Sequence, residues 1–171
     1  MTMITEKAWE KVGKKHHHGI NIPLASIWTE KSCGIGEFLD LLPMIDLCAS
    51  VNFDVLQLLP LNDSGLDHSP YNALSSTALN PIHLSLHGLP NIPKDLKQEL
   101  KTFRSFNEPK HILYPRVRNE KSKWLKRYVK TLDLEGNQEF QEFKNQSEWL
   151  QDYALFKVLK EKNHNAIWLN W

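Results

Sequence analysis

The chain contains the stretch Phe53-Asp-Val-Leu-Gln-Leu-Leu-Pro-Leu61, followed by Asn62-Asp-Ser-Gly-Leu-Asp-His-Ser-Pro-Tyr71 and Asn72-Ala-Leu-Ser-Ser-Thr-Ala-Leu-Asn-Pro81. Residues 55–61 form a near-continuous apolar run, which is typical of a strand buried on both faces of a parallel sheet. The polar, glycine-containing sequence after Pro60 predicts a loop. Because parallel strands are joined by crossover connections, a partner strand and a connecting helix are expected before residue 53.

Those earlier segments have the pattern of a strand followed by a helix. Residues 20–27 are apolar and β-prone, with Pro23 inside the run, and they predict the first strand. Asp40 is a suitable N-cap, and Pro43 falls in the first helical turn, where a missing N–H costs little. Apolar residues then recur at helical spacing and predict one buried face: Leu41, Met44, Ile45, Cys48 and Val51. Strand, helix and strand make one βαβ unit.

The remainder of the chain is predicted to be largely helical. Residues 82–86 have the composition of one more short strand, and helical patterns begin at Lys94. Three apolar faces are predicted: Leu96, Leu100 and Phe103; Trp124, Leu125, Tyr128 and Leu132; and, on a helix over residues 147–162, Trp149, Leu150, Tyr153, Phe156 and Val158. One βαβ unit leaves a parallel sheet with open edges, so we expect this sequence to be the opening of a larger fold.

Composition limits the classes of protein to which the chain can belong. It has 171 residues, of which 41% are hydrophobic and 24% charged, with a formal net charge of +1, as in ordinary globular proteins. No apolar run approaches the ~20 residues that span a bilayer, and no secretory signal is evident, so the prediction is a cytoplasmic protein without a membrane partner. Cys33 and Cys48 form no zinc-binding pattern, and His16-His17-His18 is interpreted as a surface segment rather than a metal site.

Two features suggest different ligands. The loop after the second strand offers an exposed aromatic with neighbouring hydroxyls and carboxylates, which suits a sugar ring whose apolar face stacks and whose hydroxyls need partners. A basic run could instead bind nucleic acid: Arg116, Arg118, Lys121, Lys123, Lys126, Arg127 and Lys130. Trp124, Tyr128 and Leu132 form an apolar stripe on the same segment, so the run is interpreted as the solvated face of an amphipathic helix, and no nucleic-acid partner is expected.

A series of short motifs lies along the chain in this order: His18-Gly-Ile20 through Pro23, Gly34-Ile-Gly36, Gln57-Leu-Leu-Pro-Leu61, Ser69-Pro-Tyr71, Ser75-Ser76, Ala78, Asn80-Pro81, Asp152-Tyr-Ala-Leu-Phe156, Leu159-Lys160, Trp168 and Trp171. Together these motifs resemble those of the 4-α-glucanotransferases, also called amylomaltases or disproportionating enzymes. Their order and spacing make the set specific, although residues 94–147 match poorly.

This resemblance implies an α/β fold: the N-terminal part of a (β/α)8 TIM-type barrel, carrying a largely helical inserted subdomain. The barrel is incomplete, since a whole one needs about 250 residues. The implied division is an N-terminal extension (1–19), the first βαβ unit of the barrel (20–62), a substrate-side loop and connection (63–93) and a helical inserted subdomain (94–171).

The resemblance also implies a reaction. Members of the family transfer α-1,4-glucan segments between maltooligosaccharides by a retaining double displacement that uses two carboxyl groups and no metal or organic cofactor. The family's nucleophilic Asp, acid/base Glu and supporting Asp lie on later barrel strands, so we expect no catalytic residue in this chain and no turnover by it alone. A non-catalytic glucan-binding fragment is the alternative, and the sequence does not indicate the oligomeric state.

Three residues are predicted to contact substrate. Tyr71 is expected to stack on or hydrogen-bond to the sugar at the cleavage point, the alternative being a Tyr buried at the barrel rim. Ser69 either touches the sugar or positions the loop, and Asn80 before Pro81 is either a substrate contact or a turn residue. His68 stands where many members have Asp, and Leu66 where some carry an aromatic for an accessory glucan site, so no such site is expected.

Overall fold

The computed structural model describes residues 10, 12, 13 and 15–171, so most of the predicted N-terminal extension lies outside the described residues. Strands β1 (Gly19–Ile22) and β2 (Val55–Leu58) pair in parallel, with Gly19 opposite Val55 and Ile22 opposite Leu58. Helix α1 (Leu41–Ser50) lies between them in sequence. The predicted βαβ arrangement is therefore confirmed.

Two predicted strands differ in the structure. The first ends at Ile22, because Pro23 has no N–H for the ladder and the chain then turns through a 3-10 helix at Leu24–Ser26. The prediction of a strand at residues 82–86 is wrong: 3-10 turns occupy Pro81–His83 and Leu86–Gly88. The Asn80 side chain accepts the Ile82 N–H at 3.1 Å, so this backbone satisfies itself locally and does not pair as a strand.

The helical remainder of the chain follows the sequence prediction closely. It comprises α2 (Lys94–Glu99), a 3-10 helix (Leu100–Asn107), α3 (Tyr114–Val129), α4 (Gln138–Gln146), α5 (Glu148–Lys162) and a final 3-10 turn (Trp168–Asn170). Within the described part of the chain, no helix has the length and apolarity needed to cross a bilayer.

The main hydrophobic core lies among the helices rather than against the sheet. It is formed by Cys33, Leu86, Leu96, Leu100, Phe103, Trp124 and Tyr128. The Trp124 indole donates to the Leu96 carbonyl at 3.1 Å and stacks on the Tyr128 ring with 5.5 Å between centroids. The apolar faces predicted for α2 and α3 are therefore confirmed, because the residues that recur at helical spacing are the ones that pack in this core.

A tight segment between β1 and α1 connects the sheet to that core. Ile35 is buried against Ile82, Tyr114 and Val117. At Gly36, an added Cβ would lie 1.8 Å from the Leu24 carbonyl oxygen, so only glycine fits this approach of two backbones. The Gly34-Ile-Gly36 motif thus has a packing explanation.

The burial predicted for the βαβ unit is wrong within this structure. Of the five apolar residues predicted on one face of α1, only Cys48 is buried, whereas Ile45 and Val51 remain 49% and 51% exposed. Strand β2 is half-buried and Gln57 on it is exposed, so β2 is not covered on both faces. On α5, Val158 is likewise 62% exposed. For α1, the physical reason is that a two-stranded sheet offers little surface for the helix to cover. For both helices, apolar spacing identifies a face but does not supply a layer that packs against it.

Candidate functional site

A cleft of about 390 Å³ opens at the carboxyl ends of the two parallel strands. Residues that follow β1, from Pro23 to Ser26, form one wall, and residues that follow β2, from Leu59 to Asn62, lie beside them. Ser69, Tyr71 and Asn80, the three predicted substrate contacts, all line this cleft. Two strand ends and the loop between residues 62 and 80 therefore bring together residues that are distant in sequence.

The segment of residues 62–80, called the cleft loop below, is closed at its base by backbone hydrogen bonds. Asn62 and Leu79 form an antiparallel bridge. The Asp63 N–H donates to the Ala78 carbonyl at 2.8 Å, and the Asn80 N–H donates to the Leu61 carbonyl at 2.9 Å. The tip of the loop is thus held on a fixed base directly after β2.

At the tip, Asp67 shapes the turn that presents Ser69 and Tyr71. One Asp67 oxygen accepts the Ser69 N–H at 2.8 Å, and the other accepts the Asn72 amide at 2.7 Å. Together these two donors lower the pKa of Asp67. Tyr71 is 69% exposed, and among the described residues neither its hydroxyl nor that of Ser69 has a protein hydrogen-bond partner. Both hydroxyls are therefore available to a ligand.

Asn80 occupies a different environment, with its side chain already satisfied by the protein. It is buried, its oxygen accepts the Ile82 N–H, and its amide donates to the Tyr114 hydroxyl at 3.1 Å and to Ser64 Oγ at 3.4 Å. The Tyr114 hydroxyl in turn donates to the Gly65 carbonyl at 3.4 Å. Asn80 lines the cleft while joining α3 to the cleft loop.

Replacing Asn80 with Ala should therefore act mainly on stability. We expect the free energy of unfolding to fall by about 1–2 kcal/mol, because the Tyr114 hydroxyl and the Ile82 N–H lose a buried partner. Urea unfolding of the variant beside the unchanged chain measures this. If Asn80→Ala leaves stability unchanged but weakens ligand binding, Asn80 is a substrate contact first.

The cleft also contains a histidine that the sequence prediction missed. His83 is buried and its Nδ1–H donates to the Gly36 carbonyl at 2.8 Å. Burial lowers the pKa of His83, so the ring stays neutral near pH 7 and its Nε2 is an acceptor. Its one signal in the sequence was its place just after Asn80-Pro81. The composition of that segment predicted a strand, whereas the structure has a 3-10 turn there. His68, in contrast, is exposed and packs edge-on against Tyr114.

No Asp or Glu of the described residues lines the cleft. Asp63 is buried and does not line the cleft, and the Asp67 carboxylate accepts hydrogen bonds within the turn. Asp54 lies before β2, at the opposite end of the sheet, where it accepts hydrogen bonds from the His18 N–H at 3.0 Å and from His17 at 2.8 Å. The exposed hydroxyls of the cleft suit an uncharged, hydroxyl-rich ligand, but the described residues that line it offer no carboxylate pair for cleavage of a glycosidic bond.

The His17 ring contributes to the same end of the sheet. It also contacts the Gly13 carbonyl at 3.0 Å, and this bond together with Asp54 raises the pKa of His17. Among the residues that the structure describes, no group of three or more His, Cys, Asp or Glu side chains is placed to hold a metal ion.

Most of the basic run on α3 is paired within the protein. Lys121 is buried and bonded to Glu37, and Arg116 lies over the Phe106 ring at 4.8 Å. The other pairs are Lys123 with Glu120, Lys126 with Glu161 and Arg127 with Glu99. This pairing fits the predicted amphipathic helix better than it fits a basic surface that binds a polyanion.

Comparisons with known proteins match the chain to one protein family. A family profile described as 4-alpha-glucanotransferase matches residues 22–171. The chain is 43% identical over 170 residues to a 4-alpha-glucanotransferase of Chlamydia pneumoniae, an alignment that covers 96% of this chain and 32% of that protein. It is 39% identical to the 4-alpha-glucanotransferase of Chlamydia trachomatis serovar D, with 96% and 32% covered, and 35% identical to that of Synechocystis sp., with 81% and 28% covered.

The chain therefore spans about a third of the length of the curated relatives it matches. No solved structure matches it.

Proposed function

The chain belongs to the 4-alpha-glucanotransferase family, and from that premise we propose that it is the N-terminal part of an enzyme that transfers α-1,4-glucan segments between maltooligosaccharides. The observation that carries the proposal is the cleft at the carboxyl ends of β1 and β2, where Tyr71 is exposed beside Ser69. In β/α barrels the loops at this end of the strands hold the substrate. An aromatic ring and free hydroxyls suit a glucose unit in particular.

In this proposal the described residues bind and orient the glucan rather than cleave it. Tyr71 stacks on or hydrogen-bonds to the glucose at the cleavage point, Ser69 contacts a sugar hydroxyl or fixes the turn, and Asn80 holds the cleft loop against α3. Retaining glycosidases need two carboxyl groups about 5–5.5 Å apart. These are assigned to later barrel strands outside this chain, in keeping with the absence of Asp and Glu from the described residues that line the cleft.

The proposed architecture follows from the same premise. β1, α1 and β2 are the first βαβ unit of a TIM-type barrel (20–62), residues 63–93 are the substrate-side loop and connection, and residues 94–171 are the helical inserted subdomain. The half-exposed apolar side chains of α1, such as Ile45, support further barrel elements packing there. We place the enzyme in cytoplasmic glycogen or maltodextrin metabolism, without a metal or organic cofactor.

A glucan-binding fragment without activity is the second candidate, and it is favoured by the lack of Asp and Glu among the described residues that line the cleft. A nucleic-acid-binding module is the weakest candidate, because most basic side chains of α3 have acidic or aromatic partners.

Incubation with maltotriose tests the proposal. We expect a transferase that contains this chain to yield glucose together with longer maltooligosaccharides, with full activity after treatment with a chelator. The 171-residue chain alone should yield no products but should bind maltoheptaose, measured by the chemical shifts of the Tyr71 amide. Cello-oligosaccharides, which differ in linkage geometry, serve as the matched control. Glucose released by the isolated chain would contradict the assigned place of the catalytic groups, and no transfer by the longer enzyme would contradict the function.

A further inference from the structure

We infer that Asp63, Tyr153 and Lys157 form a clamp through which helix α5 sets the position of the cleft loop. The three residues, called the Asp63 clamp below, lie outside the cleft and contact no proposed sugar position. They are positioning residues, and their effect on glucan binding rests on the function proposed above.

The Asp63 backbone joins the two sides of the cleft loop. Its N–H donates to the Ala78 carbonyl at 2.8 Å, and its own carbonyl accepts the Leu74 N–H at 2.7 Å. Both bonds reach across the loop to the segment that returns toward Asn80. A displacement of Asp63 therefore moves both sides of the loop, including the tip that presents Tyr71.

The Asp63 side chain is fixed by three donors. Oδ1 accepts the Gly65 N–H at 2.7 Å, where Gly65 has a φ of +64° that favours glycine. Oδ2 accepts the Tyr153 hydroxyl and the Lys157 ammonium, each at 2.7 Å. Tyr153 and Lys157 are four residues apart on α5 and so lie on one face of that helix.

The charges of the clamp are matched to its buried position. Asp63 is 3% exposed, and a carboxylate buried to this degree requires partners for its oxygens. Burial raises the pKa of Asp63, but hydrogen bonds from Lys157, Tyr153 and the Gly65 N–H outweigh that effect and hold the pKa below its usual value. Burial and the neighbouring Asp63 raise the pKa of Tyr153, so its hydroxyl keeps the proton that it donates.

The clamp connects two parts of the chain that are separated by 90 and 94 residues, respectively, in sequence. The Tyr71 side chain has no protein hydrogen bond among the described residues, so its location depends on the backbone of the cleft loop. A second attachment of this loop within the described part of the chain, through Tyr114 and Asn80, consists of longer, uncharged hydrogen bonds. The charge-assisted bonds to Asp63 are therefore expected to dominate loop order.

Amide hydrogen exchange in the 171-residue chain tests the clamp directly. In Lys157→Met and Tyr153→Phe we expect amides of residues 64–77 to exchange about 10-fold faster than in the unchanged chain. Amides in the core of α3, such as that of Leu125, should keep their rates. Lys162→Met, an exposed substitution of the same kind on the same helix, should leave both regions unchanged, and Lys157→Arg should restore much of the protection.

Equal acceleration in the loop and in α3 would overturn the clamp, because it would show a general loss of stability. Unchanged loop exchange in both Tyr153→Phe and Lys157→Met would also overturn it.

A second measurement separates the clamp from the proposed function. In the transferase that contains this chain, Lys157→Met should raise KM for maltotriose about 10-fold with a smaller change in kcat, because loop disorder weakens binding in the ground state and in the transition state alike. Faster loop exchange with no glucan activity in either protein would support the clamp and reject the proposed function. Faster loop exchange with unchanged KM would overturn the role of the clamp in substrate positioning.

Discussion

Replacing Lys121 with Met should lower the free energy of unfolding by about 3–5 kcal/mol, because breaking a buried ion pair leaves its partner charge without compensation. The Lys121 ammonium is bonded to Glu37 and also donates to the Leu84 carbonyl at 2.9 Å. The side chains of Lys121 and Glu37 are only 1% and 3% exposed. This contact fastens α3 to the segment between β1 and α1, so its loss affects the whole core.

Urea unfolding measures the effect, and Lys123→Met on the same helix is the matched control. Lys123 pairs with Glu120 at the surface, where its side chain is 61% exposed, and its loss should change stability by about 0.5 kcal/mol or less. Replacing both members of the buried pair, in Lys121→Met with Glu37→Leu, should recover much of the lost stability. If Lys121→Met lowers the free energy of unfolding by no more than Lys123→Met does, the buried pair does not stabilise the core in the way that its geometry indicates.

The loss in Lys121→Met should also depend on pH, in a direction that the burial of Glu37 determines. Burial raises the pKa of Glu37, and Lys121 opposes this rise. Without Lys121 the folded-state pKa rises further above the unfolded value of about 4.3, so folding favours the protonated carboxyl. The stability that the protonated Glu37 contributes to the variant is then present below about pH 4 and is lost as the pH rises through the folded-state pKa of Glu37. Comparing urea midpoints at pH 4 and pH 8 checks the sign.

The helical half of the fold was predictable from the sequence because its evidence is local. Trp124 and Tyr128 repeat at helical spacing on α3 and are buried together, as are Leu96 and Leu100. The βαβ unit was predictable in order but not in burial. Ile45 has the spacing of a core residue, yet it is half exposed, because spacing identifies a helix face without identifying the layer that covers it.

The candidate site was predictable in part, for a similar reason. The Ser-Pro-Tyr loop follows a strand and is visible in the sequence, and its residues do line the cleft. The contact of Asp63 with Tyr153 and Lys157 spans 90 residues or more, and no local pattern indicates it. His83 was missed because the self-satisfied turn after Asn80 has the apolar composition of a strand.

Replacing Tyr71 with Ala in the transferase that contains this chain should lower kcat/KM for glucan transfer by roughly 5- to 150-fold. This corresponds to about 1–3 kcal/mol for the loss of one aromatic stacking surface. Tyr71 is free to make such a contact because it is 69% exposed at the carboxyl ends of the strands. It contributes nothing to the core. The free energy of unfolding should therefore stay within about 0.5 kcal/mol of the unchanged protein.

Two further variants identify what Tyr71 contributes. Tyr71→Phe keeps the ring and removes the hydroxyl, so near-normal transfer by this variant would assign the effect to stacking, and a loss as large as that of Tyr71→Ala would assign it to a hydrogen bond with the sugar. Leu66→Ala removes another exposed side chain of the cleft loop and should leave transfer of short maltooligosaccharides unchanged, since no accessory glucan site is expected there. Equal kinetics for Tyr71→Ala and Leu66→Ala would mean that Tyr71 does not contact the reacting glucose. A selective loss in Tyr71→Ala would make the loop after β2 part of the donor or acceptor site, because a contact that serves the transition state lowers the rate without altering the fold.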